Sequence, residues 1–302
     1  SRRTVVFVGR ITRQKGLPHL LRAVEHLPAE PGRSKESGMA RLHSFYCWGS
    51  AATALGSTAF FSLFGVEGWR ILAAALAVVP LANVYNFATC PIETLVEDEE
   101  GMGVRQLLGN GAFWLFVVLM VCAGASEISM AQWASAFAES ALGVSKTVGD
   151  LAGPCGFALL MGLSRALYGR FGEKVDLTMF MVGSGVLCLA CYLLAGLSSV
   201  PLLGLVGCAL CGFSVGIMWP GSISISSRAM PRGGTAMFAL LVLAGDLGGS
   251  VGPSLVGNVS QHFGNDLRTG VLAGVVFPVV LVVCALAVRK GLSPCERGGG
   301  RA

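Results

Sequence analysis

The chain has 302 residues, of which 53% are hydrophobic and only 13% are charged, and its mean hydropathy is +0.68. Soluble domains carry about 25% charged residues, so this composition excludes a soluble globule and a long disordered chain. The net charge of +5 is small. We expect it to lie in the cytoplasmic loops of a membrane protein and predict no nucleic-acid partner.

Eight apolar runs of about 20 residues, bounded by charged or turn-forming residues, predict eight transmembrane helices. The runs lie at 43–65, 69–90, 111–139, 147–167, 177–197, 201–226, 234–257 and 270–288. The predicted fold class is an all-α polytopic membrane protein. The acidic residues Glu93 and Glu97–Glu100 mark a polar connection at 91–110, which separates the first two helices (41–90) from a six-helix unit (111–290) and a tail (291–302).

Basic residues predict the orientation of these helices, because cytoplasmic loops carry an excess of Lys and Arg. If residue 41 starts on the cytoplasmic side, eight basic residues fall in the inside loops and three in the outside loops. The inside set is Arg105, Arg165, Arg170, Lys174, Arg228, Arg232, Arg289 and Lys290, and the outside set is Arg70, Lys146 and Arg268. Both termini are therefore predicted to be cytoplasmic.

Residues 1–40 follow a different pattern. Thr4–Val8 predicts a buried strand and Leu17–Leu27 an amphipathic helix, with a basic turn between them. A polar linker follows at 29–40. We therefore expect a short soluble strand–turn–helix piece before the first membrane helix.

Several polar side chains lie inside the apolar runs. A carboxylate at the centre of a membrane helix costs about 2.5–3.5 kcal/mol on insertion scales, so Glu127 and Asp246 each need a partner, a proton or a water-filled cavity. Gln132 and Trp133 follow Glu127, although about 140° separates Glu127 from Gln132 around a helix. The alternative interpretation is that these groups only form hydrogen bonds between helices.

Polarity also repeats along the last six runs. The third and sixth of these runs, 177–197 and 270–288, contain no charged residue and are predicted to face lipid all round, whereas the first two of each triplet carry the Gly, Pro, Trp and acidic residues. A Gly-Asp-Leu-x-Gly sequence recurs at Gly149–Gly153 and Gly245–Gly249. A 3+3 pattern of this kind is typical of secondary transporters.

Residues 41–290 resemble the fifth to twelfth helices of the major facilitator superfamily, closest in style to bacterial fucose-permease-like members. The stretches that carry the resemblance are LHSFYCWG (42–49), ASEISMAQWASAF (125–137), YGRFGEK (168–174), GIMWPGSIS (216–224) and AGDLGGSVGP (244–253).

This resemblance implies a partial major facilitator fold in a bacterial cytoplasmic membrane, with two bundles that rock around a midplane site. It implies transport of a small solute such as a sugar, with proton coupling and no cofactor, and 111–139 and 201–226 would line the cavity. The candidate solute or proton-coupling residues are then Glu127, Gln132, Trp133, Trp219 and Asp246. Because the first four helices of the plan are replaced by residues 1–40, we expect transport by this chain to be impaired.

Residues 5–28 resemble the nucleotide-sugar-binding half of glycogen-synthase-like glycosyltransferases. This resemblance implies that Arg10 and Lys15 bind the diphosphate of a sugar donor, and a basic turn before a helix N-terminus suits phosphate. Two alternatives to a transporter therefore stay open: a membrane-tethered fragment of a glycosyltransferase, and a non-transporting protein that only associates with other helices. We expect no enzymatic activity.

Three further patterns favour packing over chemistry. Cys188-x2-Cys191 and Cys208-x2-Cys211 have zinc-ribbon spacing, but they fall inside apolar runs and not in the polar setting of a zinc site. Gly212–Gly216 matches a nucleophile elbow around Ser214, but a strand and a histidine partner are missing. The glycine spacing of 245–252 predicts close helix packing.

Overall fold

The structure is a computed structural model that describes residues 35–89, 101–172 and 175–296. In these ranges the regular structure is helical throughout. The predicted strand–turn–helix piece, with Arg10 and Lys15, lies outside the described residues. The helices are α1 (Lys35–Phe64), α2 (Trp69–Thr89), α3 (Val104–Leu108), α4 (Gly111–Leu142), α5 (Lys146–Asp150), α6 (Gly156–Phe171), α7 (Leu177–Leu197), α8 (Pro201–Val215), α9 (Met218–Ala229), α10 (Gly234–His262), α11 (Leu267–Ala273) and α12 (Val276–Glu296).

Seven helical spans in the described ranges are long and apolar enough to cross a membrane, and six of them lie within residues 111–290. The all-α membrane fold is thus confirmed. The first predicted segment, 43–65, lies inside α1, a 30-residue helix that is not among these seven spans. Its polar residues, such as Arg41, His43 and Ser44, separate it from the more apolar helices.

Three of the predicted segments are helices in two pieces. A π-helical turn at Leu151–Cys155, which contains Pro154, joins α5 to α6. A two-residue break separates α8 from α9, and another separates α11 from α12. Proline lacks the main-chain N–H that continues the helical hydrogen-bond ladder, which explains the irregularity at Pro154 and, four residues beyond Gly216, at Pro220.

Short polar residues define several helix ends. The side chain of Asn110 accepts a 2.9 Å hydrogen bond from the N–H of Ala112 at the start of α4, and Asp176 accepts one of 2.9 Å from Met179 at the start of α7. These caps satisfy main-chain donors that have no partner inside the helix. Gly143 ends α4 with φ of 67°, a conformation that glycine adopts without strain.

Helix α4 is central, and α10 packs along it through a seam of glycines. At this seam Gly124 faces Gly245, and Gly248 lies against the carbonyl of Val121 so closely that a Cβ at position 248 would overlap it. Glycines let two membrane helices approach until their main chains touch. The expectation that this spacing serves packing agrees with the structure.

The remaining helices surround this pair. Helix α1 packs against α6, α8 lies between α6 and α7, and α12 contacts both α7 and α4. The prediction that 177–197 and 270–288 face lipid all round is wrong. Tyr192 of α7 and Leu281 of α12 are fully buried, while Leu187 and Val283 are exposed. A helix packed on one side has an apolar face toward its neighbours as well as one toward lipid.

Candidate functional site: a polar cleft and a buried ion pair

A cleft of about 1160 Å³ lies between the second halves of α4 and α10. Its lining is rich in amide, hydroxyl and carboxylate groups, which include Gln132, Glu139, Ser250, Ser254, Asn258 and Gln261. Such side chains supply both donors and acceptors of hydrogen bonds. A polar cleft of this size in a membrane-spanning bundle can hold a small hydrophilic molecule.

One wall of the cleft contains the indole ring of Trp133, which is half-buried. Its Nε1–H donates a 3.0 Å hydrogen bond to the main-chain carbonyl of Pro253 on α10. The ring also packs directly on Gly257, where a Cβ would lie 2.9 Å from the Cζ2 atom of the indole. Only glycine leaves room for the ring at this position. Trp133 is therefore held in one place by α10.

Glu139 is not among the candidate residues predicted from the sequence. The structure places its exposed side chain in the cleft wall, where it is the one carboxylate among the described lining residues. It lies seven residues, or about two helical turns, beyond Gln132 on α4. Glu139 is therefore a cleft residue outside the predicted set, although its spacing from Gln132 is the signal that could have found it.

Glu127 does not line this cleft. It is buried in the centre of α4, and its Oε2 lies 3.5 Å from Nη2 of Arg165 on α6, which is also buried. The 140° between Glu127 and Gln132 is thus realised as one buried and one cleft-facing side chain. The carboxylate has the partner that a charge inside a membrane protein requires.

Arg165 was counted as a loop residue, and that assignment is wrong. It lies within α6 with 2% of its surface exposed. The predicted segment ended at residue 167, but the helix continues to Phe171. The orientation prediction then rests on the seven other basic residues of the inside set.

The two other predicted residues, Trp219 on α9 and Asp246 on α10, lie outside the cleft lining. Trp219 is half-buried, and its ring packs against Gly245. Asp246 is exposed on α10, next to the glycine seam. The five predicted residues therefore occupy three places: Gln132 and Trp133 the cleft, Glu127 the ion pair, and Trp219 with Asp246 the region around Gly245.

The four cysteines with zinc-ribbon spacing meet between α7 and α8. Cys188 Sγ lies 3.8 Å from Cys211 Sγ, and both are buried, as are Cys191 and Cys208. Within the described residues no group of three or more His, Cys, Asp or Glu side chains is arranged to hold a metal ion. Ser214 donates a 2.6 Å hydrogen bond to the carbonyl of Cys211 in its own helix.

Comparison with known protein families adds the decisive observation. A family model described as Major Facilitator Superfamily matches residues 30–253, about three quarters of the chain. The chain belongs to this superfamily. No curated protein matches the chain.

Membership in the major facilitator superfamily supports membrane transport of a small solute, and the apolar spans support a multi-pass membrane protein. The likeness to fucose permeases and the glycosyltransferase likeness of residues 5–28 are finer statements, which stay predictions.

Proposed function

We propose that the chain is part of a secondary transporter for a small, polyhydroxylated solute such as a sugar, which binds in the cleft between α4 and α10. The observation that carries this proposal is the cleft lining, which combines amides and hydroxyls with one indole ring. Amide and hydroxyl groups match the alternating donors and acceptors of a polyol. The indole offers an apolar face to the C–H side of a sugar ring.

Glu127 is our first candidate for proton coupling. Its distance of 3.5 Å from Arg165 is longer than the 2.7–2.9 Å typical of a charge-assisted hydrogen bond, so the carboxylate is partnered but not tightly held. It precedes Gln132 by five residues, or about 7.5 Å along the axis of α4. A proton on Glu127 would thus lie about 7.5 Å along the axis from the level of Gln132, on the side of α4 that faces Arg165 and not the cleft.

Asp246 is the second candidate. It is exposed on α10 beside the packing contact of Trp219 with Gly245. An exposed carboxylate in the middle of an apolar helix costs free energy unless water or another polar group reaches it. Its exposure makes this carboxylate accessible to protons, which is why it is the second candidate.

We assign α1 and α2 to the first bundle and residues 111–290 to the second, with 91–110 as the cytoplasmic connection. The same proposal places the protein in a bacterial cytoplasmic membrane with both termini inside. Six apolar spans in 111–290 support the second bundle.

The experiment is a ligand screen on the purified chain in nanodiscs, followed by uptake in proteoliposomes. We expect sugars or polyols to raise the thermal unfolding midpoint, and a pH gradient to drive their uptake. E127Q should abolish the accumulation of solute that the pH gradient drives, while exchange of labelled for unlabelled solute continues. D246N is measured by the same two assays to test the second candidate. If no neutral polyol binds, the proposed solute class is wrong; if E127Q and D246N both keep the pH dependence, proton coupling by these residues is wrong.

A further inference from the structure

The guanidinium of Arg165 lies where four helical elements meet. Arg165 itself belongs to α6. Its Nε donates to the carbonyl oxygen of Gly216 at 2.7 Å, and its Nη1 donates to the carbonyl oxygen of His43 at 3.1 Å. Its Nη1 also lies 3.2 Å from Cys47 Sγ, and its Nη2 reaches Glu127. One side chain thus contacts α1, α4 and the break between α8 and α9.

The carbonyl of Gly216 needs this donor because of the residue four positions later in the sequence. In a helix, the carbonyl of residue 216 would accept from the N–H of residue 220, four positions later. Residue 220 is proline, which has no N–H. An unpaired carbonyl inside a membrane protein is unfavourable, because no water is there to replace the lost donor. Nε of Arg165 supplies that donor.

The contact with α1 uses a different edge of the guanidinium. The His43 carbonyl and the Cys47 sulfur lie one turn apart on α1, and the ring of Tyr46 lies 6.0 Å from the guanidinium carbon. The planar fork of arginine directs its donors in several fixed directions, whereas lysine offers a single nitrogen. Arginine can therefore serve α1 and the α8–α9 break at the same time.

We propose that Arg165 is a positioning residue that couples α1 to the α8–α9 break, so that the two elements keep their relative position or change it together during transport. Glu127 balances the charge of this link from α4. The coupling rests on the proposed transport function, but the contacts that carry it do not involve the solute cleft. Loss of Arg165 therefore lowers the maximal rate of uptake and leaves the apparent solute affinity unchanged.

The test is hydrogen–deuterium exchange of the full chain in nanodiscs, without solute. In R165Q, we expect the amides of α9 and of residues 40–50 in α1 to exchange about tenfold faster or more, as for the loss of a charge-assisted hydrogen bond. Exchange in α12 should not change. R170Q is the matched control, because Arg170 lies on the same helix with an exposed side chain, and it should leave both regions as they are.

The variant P220A separates the two contacts. Alanine restores an N–H for the Gly216 carbonyl, so α9 no longer needs Arg165. In P220A/R165Q we expect faster exchange in α1 alone, a result that a general loss of stability would not produce. If R165Q does not accumulate in the membrane, R165K and P220A/R165K carry the same comparison, because lysine keeps the charge but has no Nε donor in this position.

The outcomes are distinct. The proposal is overturned if R165Q accelerates exchange in only one of the two regions, in neither, or equally in α12, or if P220A fails to protect α9. These measurements do not depend on uptake. A failure to find any transported solute would therefore contradict the proposed function while the exchange data still decide whether Arg165 links α1 to the break.

Discussion

Trp133 and Pro253, 120 positions apart in the chain, are joined by a 3.0 Å hydrogen bond from the indole Nε1–H to the proline carbonyl. The bond links α4 to α10 at the wall of the cleft. It fixes the orientation of the largest side chain in the lining. A solute that enters the cleft therefore meets an indole ring that is already in place, and no side-chain entropy is lost in ordering it on binding.

The variant W133F tests this arrangement. Phenylalanine lacks the N–H, so the carbonyl of Pro253 loses its partner and the ring loses its anchor. We expect solute affinity to fall about tenfold, which corresponds to about 1.4 kcal/mol. W114F is the matched control, because Trp114 is on the same helix, is exposed and bonds only to Leu108 nearby. Equal affinities for W133F and W114F would contradict the prediction.

Glu139 is predicted to contribute selectivity. Its carboxylate accepts hydrogen bonds from hydroxyl groups and repels anions, so E139Q should bind a neutral polyol only a few-fold more weakly. The same variant should bind an acidic sugar more tightly than the wild type does. Competition by a neutral and an acidic analogue against one labelled solute measures both effects. E67Q is the control, since Glu67 lies between α1 and α2, away from the cleft.

The glycine seam predicts a large stability effect at one position. In G248A, the added methyl group would overlap the carbonyl of Val121, and α10 would have to move away from α4. We expect the unfolding free energy to fall by about 1–3 kcal/mol, as for other overpacked sites. The buried cysteines become reactive on unfolding, so a thiol-reactive fluorophore can follow the transition.

Gly183 provides the control for that measurement. It also lies within a membrane helix, α7, but an added Cβ would meet nothing within 4 Å. Because alanine is a better helix former than glycine, G183A should keep or slightly raise the stability. A loss of the same size in both variants would show that the seam is not the cause.

Asp266 caps α11 outside the membrane span. It accepts hydrogen bonds from the hydroxyl of Thr269 and from the N–H groups of Arg268 and Thr269, and these bonds lower the pKa of its carboxyl group below the usual 3.8. We expect D266A to cost about 1 kcal/mol at neutral pH. Because the folded pKa is the lower one, the contribution is present above pH 3.8 and is lost as the pH falls through the folded value. The difference between wild type and D266A should therefore shrink in acid.

Much of the architecture follows from hydropathy, because the apolar runs are long and their ends carry recognisable caps such as Asn110 and Asp176. The helix breaks were less predictable. A run of apolar residues does not reveal that 201–226 is interrupted, although Pro220 was visible. The consequence of Pro220 for the Gly216 carbonyl depends on which donor the tertiary structure brings near it.

The ion pair shows the same limit. A buried carboxylate at position 127 was expected to need a partner, and Arg165 lay two residues before the predicted end of its segment. Local sequence patterns do not show which residues on two different helices will pair, and Glu127 and Arg165 are 38 positions apart. Gln132 and Trp133 were predicted as site residues and line the cleft, but Trp219 and Asp246 lie outside its lining because helix packing, which the sequence pattern does not encode, sets which faces meet.

The seam between α4 and α10 also bears on how the cleft could release its contents. Where the main chains of α4 and α10 touch, no side chains lie between them that could change rotamer and let the helices shift. We therefore expect the two helices to move as one rigid body. The distance between Gln132 and Ser254 would then stay constant through a transport cycle. Exchange of solute with either side of the membrane would then depend on movement of the helices that cover the cleft. Helices α4 and α10 would keep their relative position.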